Sequence, residues 1–106
     1  MEAIKLRQGD SLKWLGRKVE FNINTELDLT DWFATFQLCD VVKVYKNFEE
    51  TKQISLDITK EESETLPVGY QTGWLKFTNE MGEAGTQDLQ IKFLILPKEV
   101  DNVTNL

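Results

Sequence analysis

Apolar and polar residues alternate with a period of two along most of this 106-residue chain, the spacing that sends successive side chains to opposite faces of a strand. Ile4 and Leu6 alternate with Lys5 and Arg7, and Gln8-Gly9-Asp10-Ser11 closes that first strand as a turn. A second run, Leu12 to Leu15, breaks at Gly16, after which Val19, Phe21 and Ile23 alternate with Lys18, Glu20, Asn22 and Asn24. Trp32, Ala34, Phe36 and Leu38 share one face of the next strand and predict its core side; Phe33, Thr35, Gln37 and Cys39 share the other, which Phe33 leaves partly apolar. Val41–Tyr45 reads as a strand, and Ile54, Leu56 and Ile58 predict another. Tyr70–Thr78 follows, and Leu89, Ile91, Phe93 and Ile95 give the last strand its inward face.

The intervening segments carry their own signals. Thr25–Asp31 is a polar connection whose Leu27 and Leu29 are placed to plug one end of the fold. Thr59 and Glu62 fit a capping box, and a segment this short predicts a single helical turn over 60–65. Leu66-Pro67-Val68-Gly69-Tyr70 is a sharp corner, because proline fixes φ near −65° and glycine permits φ > 0. Asn79–Gly85 reads as a flexible hairpin loop with two glycines, Pro97 ends the last strand, and 98–106 reads as a flexible polar tail. Short strands at roughly 8–12-residue spacing, with no long helical pattern, predict a single all-β domain over 1–97. The expected architecture is an antiparallel, immunoglobulin-like sandwich of seven or eight strands, with one helical turn before the penultimate strand; Tyr70 stands where such sandwiches place a corner tyrosine.

Composition narrows function mainly by what is missing. The chain has no histidine, hence neither the commonest general base near neutral pH nor the usual zinc ligand. Cys39 is the one cysteine, which excludes an intrachain disulfide and reads as a small strand hydrophobe more readily than as a nucleophile. Carboxylates are plentiful (Asp10, Asp28, Asp31, Asp40, Asp57 and the 61–64 cluster) but sit at predicted strand ends, where Asp commonly closes turns. No catalytic residue, metal ligand or cofactor site is expected. The net charge of −6 repels phosphate backbones and anionic lipid, so neither nucleic acid nor membrane is an expected partner. Met1–Lys5 lacks a signal-peptide pattern, and no apolar run approaches the roughly 20 residues of a membrane span; synthesis in a host cytoplasm is expected.

Two features point to contact with another protein. Trp14, Trp32 and Trp74 at alternating strand positions are expected to fill the core. Trp74 nevertheless shares a face with Tyr70 and Thr72 opposite the apolar Leu75 and Phe77, so both sides of its strand need cover. Leu94 and Leu96 likewise double the apolar face made by Phe93 and Ile95. Trp74, Leu94 and Leu96 are therefore candidate interface residues, as are Val100, Val103 and Leu106 for a tail anchor. A carbohydrate platform built on Trp74 or Trp14 is the rival reading.

The order Ile4-Lys5-Leu6-Arg7-Gln8-Gly9-Asp10, then Leu27–Trp32, then Leu66–Tyr70 resembles immunoglobulin-like domains of tailed-phage virion proteins. It is similar to the N-terminal domain of baseplate upper proteins and to related capsid accessory and head-fibre domains. The resemblance spans about residues 4–96. It implies turn roles for Gly9 and Asp10, a lead into the core strand from Leu29 and Thr30, and a corner at Pro67, Gly69 and Tyr70; none of these is a catalytic or ligand role. It further implies a virion accessory subunit, foremost a capsid decoration protein and alternatively a baseplate or tail adaptor, acting by repeated protein–protein contact and possible self-association.

Overall fold

The computed structural model describes residues 3–13 and 19–98, the side chains of 86–89 excepted. The chain is mainly β: β1 Ile4–Arg7, β2 Glu20–Asn22, β3 Trp32–Leu38, β4 Val41–Tyr45, β5 Gln53–Ser55, α1 Lys60–Glu64, β6 Gly69–Asn79 and β7 Ala84–Leu96. Five strands form one sheet in the order β1-β7-β6-β3-β4, while β2 and β5 pair as an antiparallel ribbon.

One ladder corrects the antiparallel expectation. β1 runs parallel to β7, with Ile4 opposite Phe93 and Arg7 opposite Leu96, so the sheet is mixed. Hairpin neighbours are antiparallel because a short loop reverses the chain. β1 and β7 lie at opposite ends of the sequence, and no such loop dictates their direction. The bond from Gln8 N to Leu96 O at 2.9 Å extends the pairing past the strand end.

The alternation read from sequence is the one that packs. Leu6, Ala34, Phe36, Leu38, Leu75, Phe77, Ile91, Phe93 and Ile95 line the inner face of the sheet and are all buried. Ile23, Ile54, Leu56 and Ile58, from the ribbon and its extension, complete the same cluster. The β5 ladder is shorter than its periodicity, yet Leu56 N still bonds Val19 O and Leu12 N bonds Ile58 O, so burial continues beyond the ladder. Trp32, expected inside, is half-buried and packs against this cluster. Of the two leucines expected to plug one end, Leu29 does so at 5% exposure, while Leu27 stays 60% exposed.

The helical turn forms where the capping box placed it. Glu62 N donates to Thr59 Oγ1 at 3.2 Å, and Thr59 N donates to Glu62 Oε1 at 2.9 Å. β7 begins at Ala84, ahead of the expected Leu89. The sequence hides this because the β6–β7 register shifts between Trp74 and Lys76, and such a bulge breaks strict alternation on the bulged strand.

Candidate functional site

The turn and corner motifs, 58 residues apart in sequence, meet in space. Gln8 Nε2 donates to Leu66 O at 2.7 Å, and Gly9 N donates to the Ser63 hydroxyl at 2.9 Å. Ser63, fully buried, donates in turn to Lys60 O. Gln8 Oε1 accepts from Lys98 N at 3.1 Å, and Lys98 Nζ reaches Glu64 at 3.3 Å. Residue 98, expected to open the tail, is thus tied to the fold. Gly9 (φ 91°) and Gly69 (φ 113°) occupy the left-handed region that disfavours any side chain. Asp10 N closes the turn on Arg7 O, and Pro67 O accepts weakly from Gln71 at 3.4 Å. Upstream of β3, Thr30 donates through both its backbone and its hydroxyl to Asp28 Oδ1, and these bonds hold the Asp28 carboxyl below its ordinary value. These positions are scaffold. Tyr70 departs from a corner tyrosine: it points outward, 69% exposed, and its hydroxyl has no hydrogen-bond partner among the described residues.

Cys39 sits in the β3–β4 turn at φ 54°, half-buried, its thiol 3.5 Å from Gln71 Oε1. Burial first, and then the Asp40 charge, push that thiol above its ordinary value, the reverse of what a nucleophile needs. Burial also raises Tyr45, whose hydroxyl accepts from Asp57 N at 3.3 Å. Among the described residues no three aspartate, glutamate or cysteine side chains gather to hold a metal ion, and no helix is long and apolar enough to cross a membrane.

The outer face of the five-stranded sheet is the unusual surface. Alternation places Tyr70, Thr72, Trp74, Lys76 and Thr78 of β6 outward, beside Gln90, Lys92, Leu94 and Leu96 of β7. β3 adds Phe33, Thr35 and Gln37, β4 adds Val42 and Val44, and β1 adds Lys5 and Arg7. Trp74 is 49% exposed, which corrects the expectation that it fills the core. Val42 and Val44 are more than half exposed; Leu94, Leu96 and Phe33 are half-buried by their neighbours. The candidates Trp74, Leu94 and Leu96 therefore share one face, joined by Tyr70. Val100, Val103 and Leu106 lie outside the described residues, as does Trp14. Val42 and Val44 were not singled out from sequence, although Val41-Val42-Lys43-Val44 is apolar on both sides of its strand, the same signal that marked Leu94 and Leu96.

Charge is distributed unevenly about this face. Lys5, Arg7, Lys76 and Lys92 are its ionised side chains among the described outward positions, and none of those positions is acidic, in a chain of net charge −6. Trp74 lies between Lys76, two residues on along β6, and the row holding Thr72 and Lys92.

At the end of β6 and β7 the loop expected to be flexible is braced. Asn79 Oδ1 accepts from Met81 N at 3.1 Å and Glu83 N at 2.9 Å, and Asn79 Nδ2 donates to Glu83 Oε1. Asn79 N bonds Glu83 O, and Gly82 N bonds Asn79 O. The effect is to present Met81 at the tip, 85% exposed, with Glu80 and Glu83 on either side.

No protein-family model matches this chain, and no curated protein or solved structure does so either.

Proposed function

We propose that this chain is a non-catalytic docking subunit of the immunoglobulin-like sandwich type that binds protein surfaces through the outer face of its five-stranded sheet. The observation that carries this reading is that face: Tyr70, Trp74, Val42 and Val44 are exposed on it and Leu94 and Leu96 half-exposed, with Lys76 and Lys92 interleaved among them and Lys5 and Arg7 along the β1 edge. A sheet with one face on the core ordinarily turns a polar face to water, and contiguous apolar exposure marks interaction surfaces. The immunoglobulin-like assignment is supported by strand order: β2 and β5 oppose β7-β6-β3-β4, as two inner strands oppose the larger sheet in variable-type domains, and α1 with its corner precedes the sixth strand.

Magnitudes favour repeated weak contacts. Five strands about 4.8 Å apart and averaging eight residues present roughly 630 Å², below the about 800 Å² per partner of a standard stable interface. Such a subunit gains strength by multiplicity on a lattice. With the sequence resemblance, this supports a virion accessory role, foremost capsid decoration, with a baseplate or tail adaptor as the other setting. Tyr70 and Trp74, exposed four residues apart on one strand, also fit a sugar platform; the aliphatic Val42, Val44, Leu94 and Leu96, which offer hydroxyls no hydrogen bond, weigh against it.

Cosedimentation of the purified chain with phage capsids or tails lacking it tests the proposal. Saturable binding that falls at least tenfold in Trp74→Glu is expected. Wild-type binding by that variant would remove the face from the reading, and no binding to either particle would remove the virion setting. A tryptophan emission shift with oligosaccharide alone would favour the sugar platform.

A further inference from the structure

The outer face and the β6–β7 tip are complementary in both shape of chemistry and sign of charge. The face offers an aromatic, Trp74, between two lysines, Lys76 and Lys92. The tip offers a thioether, Met81, between two carboxylates, Glu80 and Glu83. Methionine sulfur packs favourably against aromatic rings, and each lysine on the face would meet a carboxylate at its rim. Asn79 holds the tip in place through its side-chain bonds, so little ordering cost remains for docking. Both partners of the contact are exposed in the single chain: Met81 at 85% and Trp74 at 49%. Tip and face cannot meet within one copy, because Met81 and Trp74 are separated along the same rigid hairpin by about seven residues, roughly 23 Å of strand.

We propose that the tip of one copy docks on the outer face of a second, head to tail; this rests on the reading of that face as a docking surface. Two faces meeting each other would instead set Lys5, Arg7, Lys76 and Lys92 against themselves, and like charges across an interface oppose association. A head-to-tail contact is heterologous, leaving a free face at one end and a free tip at the other, so it extends into a ring or a filament instead of stopping at a pair. A hairpin tip buries little area, so each contact is weak in solution and acts when copies are held close together.

Sedimentation of the full 106-residue chain tests this with two double variants, each altering exposed side chains only. The face variant is Trp74→Ser with Lys76→Glu, and the tip variant is Glu80→Lys with Met81→Ser. Wild type should gain average mass with concentration up to about 1 mM, passing beyond a dimer, and association should weaken at least tenfold between about 50 and about 500 mM salt. Each variant alone should stay monomeric. Their equimolar mixture should form a dimer, since the intact tip of one meets the intact face of the other. Circular dichroism melts like those of wild type verify folding. A monomeric wild type at about 1 mM overturns the proposal, as does a mixture that stays monomeric, and a tip variant that dimerises alone replaces it with a face-to-face pair. Particle binding kept by the tip variant and lost by the face variant would leave the docking face standing even if the head-to-tail contact failed.

Discussion

The two sides of the five-stranded sheet share the same strands, yet one is apolar and covered while the other mixes exposed aromatic and aliphatic side chains with lysine, threonine and glutamine. On β6, Gly73, Leu75 and Phe77 point inward and are buried, while Tyr70, Trp74 and Lys76 point outward into solvent. The inner face closes against the β2–β5 ribbon, with Phe36 and Phe93 tilted at a centroid distance of 6.3 Å. The outer face carries a tryptophan, a tyrosine and two valines that are half or more exposed, with no described residue packed over them. Hydrophobicity alone does not separate a core from an interface. Coverage within the chain does.

The inner face is where damage should be largest. Phe36→Ala removes a fully buried ring, and such truncations cost about 3–5 kcal/mol by lost transfer energy plus the cavity left behind; chemical denaturation should show it as a lower midpoint. An unchanged midpoint would mean that the inner face is less closely packed than its burial indicates.

Gly73→Ala breaks the same face from the opposite direction. A Cβ at position 73 would stand 2.7 and 2.8 Å from the Phe36 ring, and that ring is boxed in by the core. Overpacking of this kind costs about 1–3 kcal/mol. The effect should shrink when Phe36→Leu is made in the same chain, because the two sites share one space and their energies are then not additive. Additive losses in the double variant would contradict the contact.

How much of this was legible in the sequence follows from the range of each signal. Strand periodicity is local, and it correctly grouped Ala34, Phe36 and Leu38 of β3 and Ile91, Phe93 and Ile95 of β7, which share the inner face of the sheet. The capping box was equally readable, because Thr59 and Glu62 lie three residues apart and make their bonds to each other's backbone. The parallel β1–β7 ladder was not readable, since no turn links its strands. Sequence left Trp74 between core filler and interface candidate, because alternation names the residues that share a face without saying which face is covered. Asn79 was missed as the brace of the tip because a run of Asn, Glu and Gly looks like any solvated loop. Ser63, buried between Lys60 O and Gly9 N, looked like one more polar residue in an acidic run.

A smaller effect lies at the margin between the faces, where Lys43 of β4 reaches Glu62 of α1 at 2.6 Å, with both side chains about three-quarters buried. Burial opposes the charge on Glu62, but Lys43 and the Thr59 bonds outweigh it and hold the carboxyl below its ordinary 4.5. A depressed folded-state pKa contributes stability that is present above the unfolded value and is lost as pH falls through the folded one. Denaturation midpoints should therefore drop from about pH 4.5 downward, and Glu62→Gln should flatten that part of the profile. The pair is partly exposed, so its share is about 1 kcal/mol or less. A variant profile parallel to wild type below pH 4.5 would show that other carboxylates govern acid stability.

The smallest effect on folding should come from the most conspicuous side chain. Trp74→Thr replaces one strand-favouring residue with another and removes a ring that is half in water, so stability should move by about 0.5 kcal/mol or less. In a core position the same loss of an indole would rank with Phe36→Ala. The near-zero result is therefore informative: a tryptophan that contributes almost nothing to its own fold, set between lysines on an uncovered sheet, is available to a partner. A loss as large as that of Phe36→Ala would instead make the outer face part of the fold's own support, and the contrast between the two sides of the sheet would collapse.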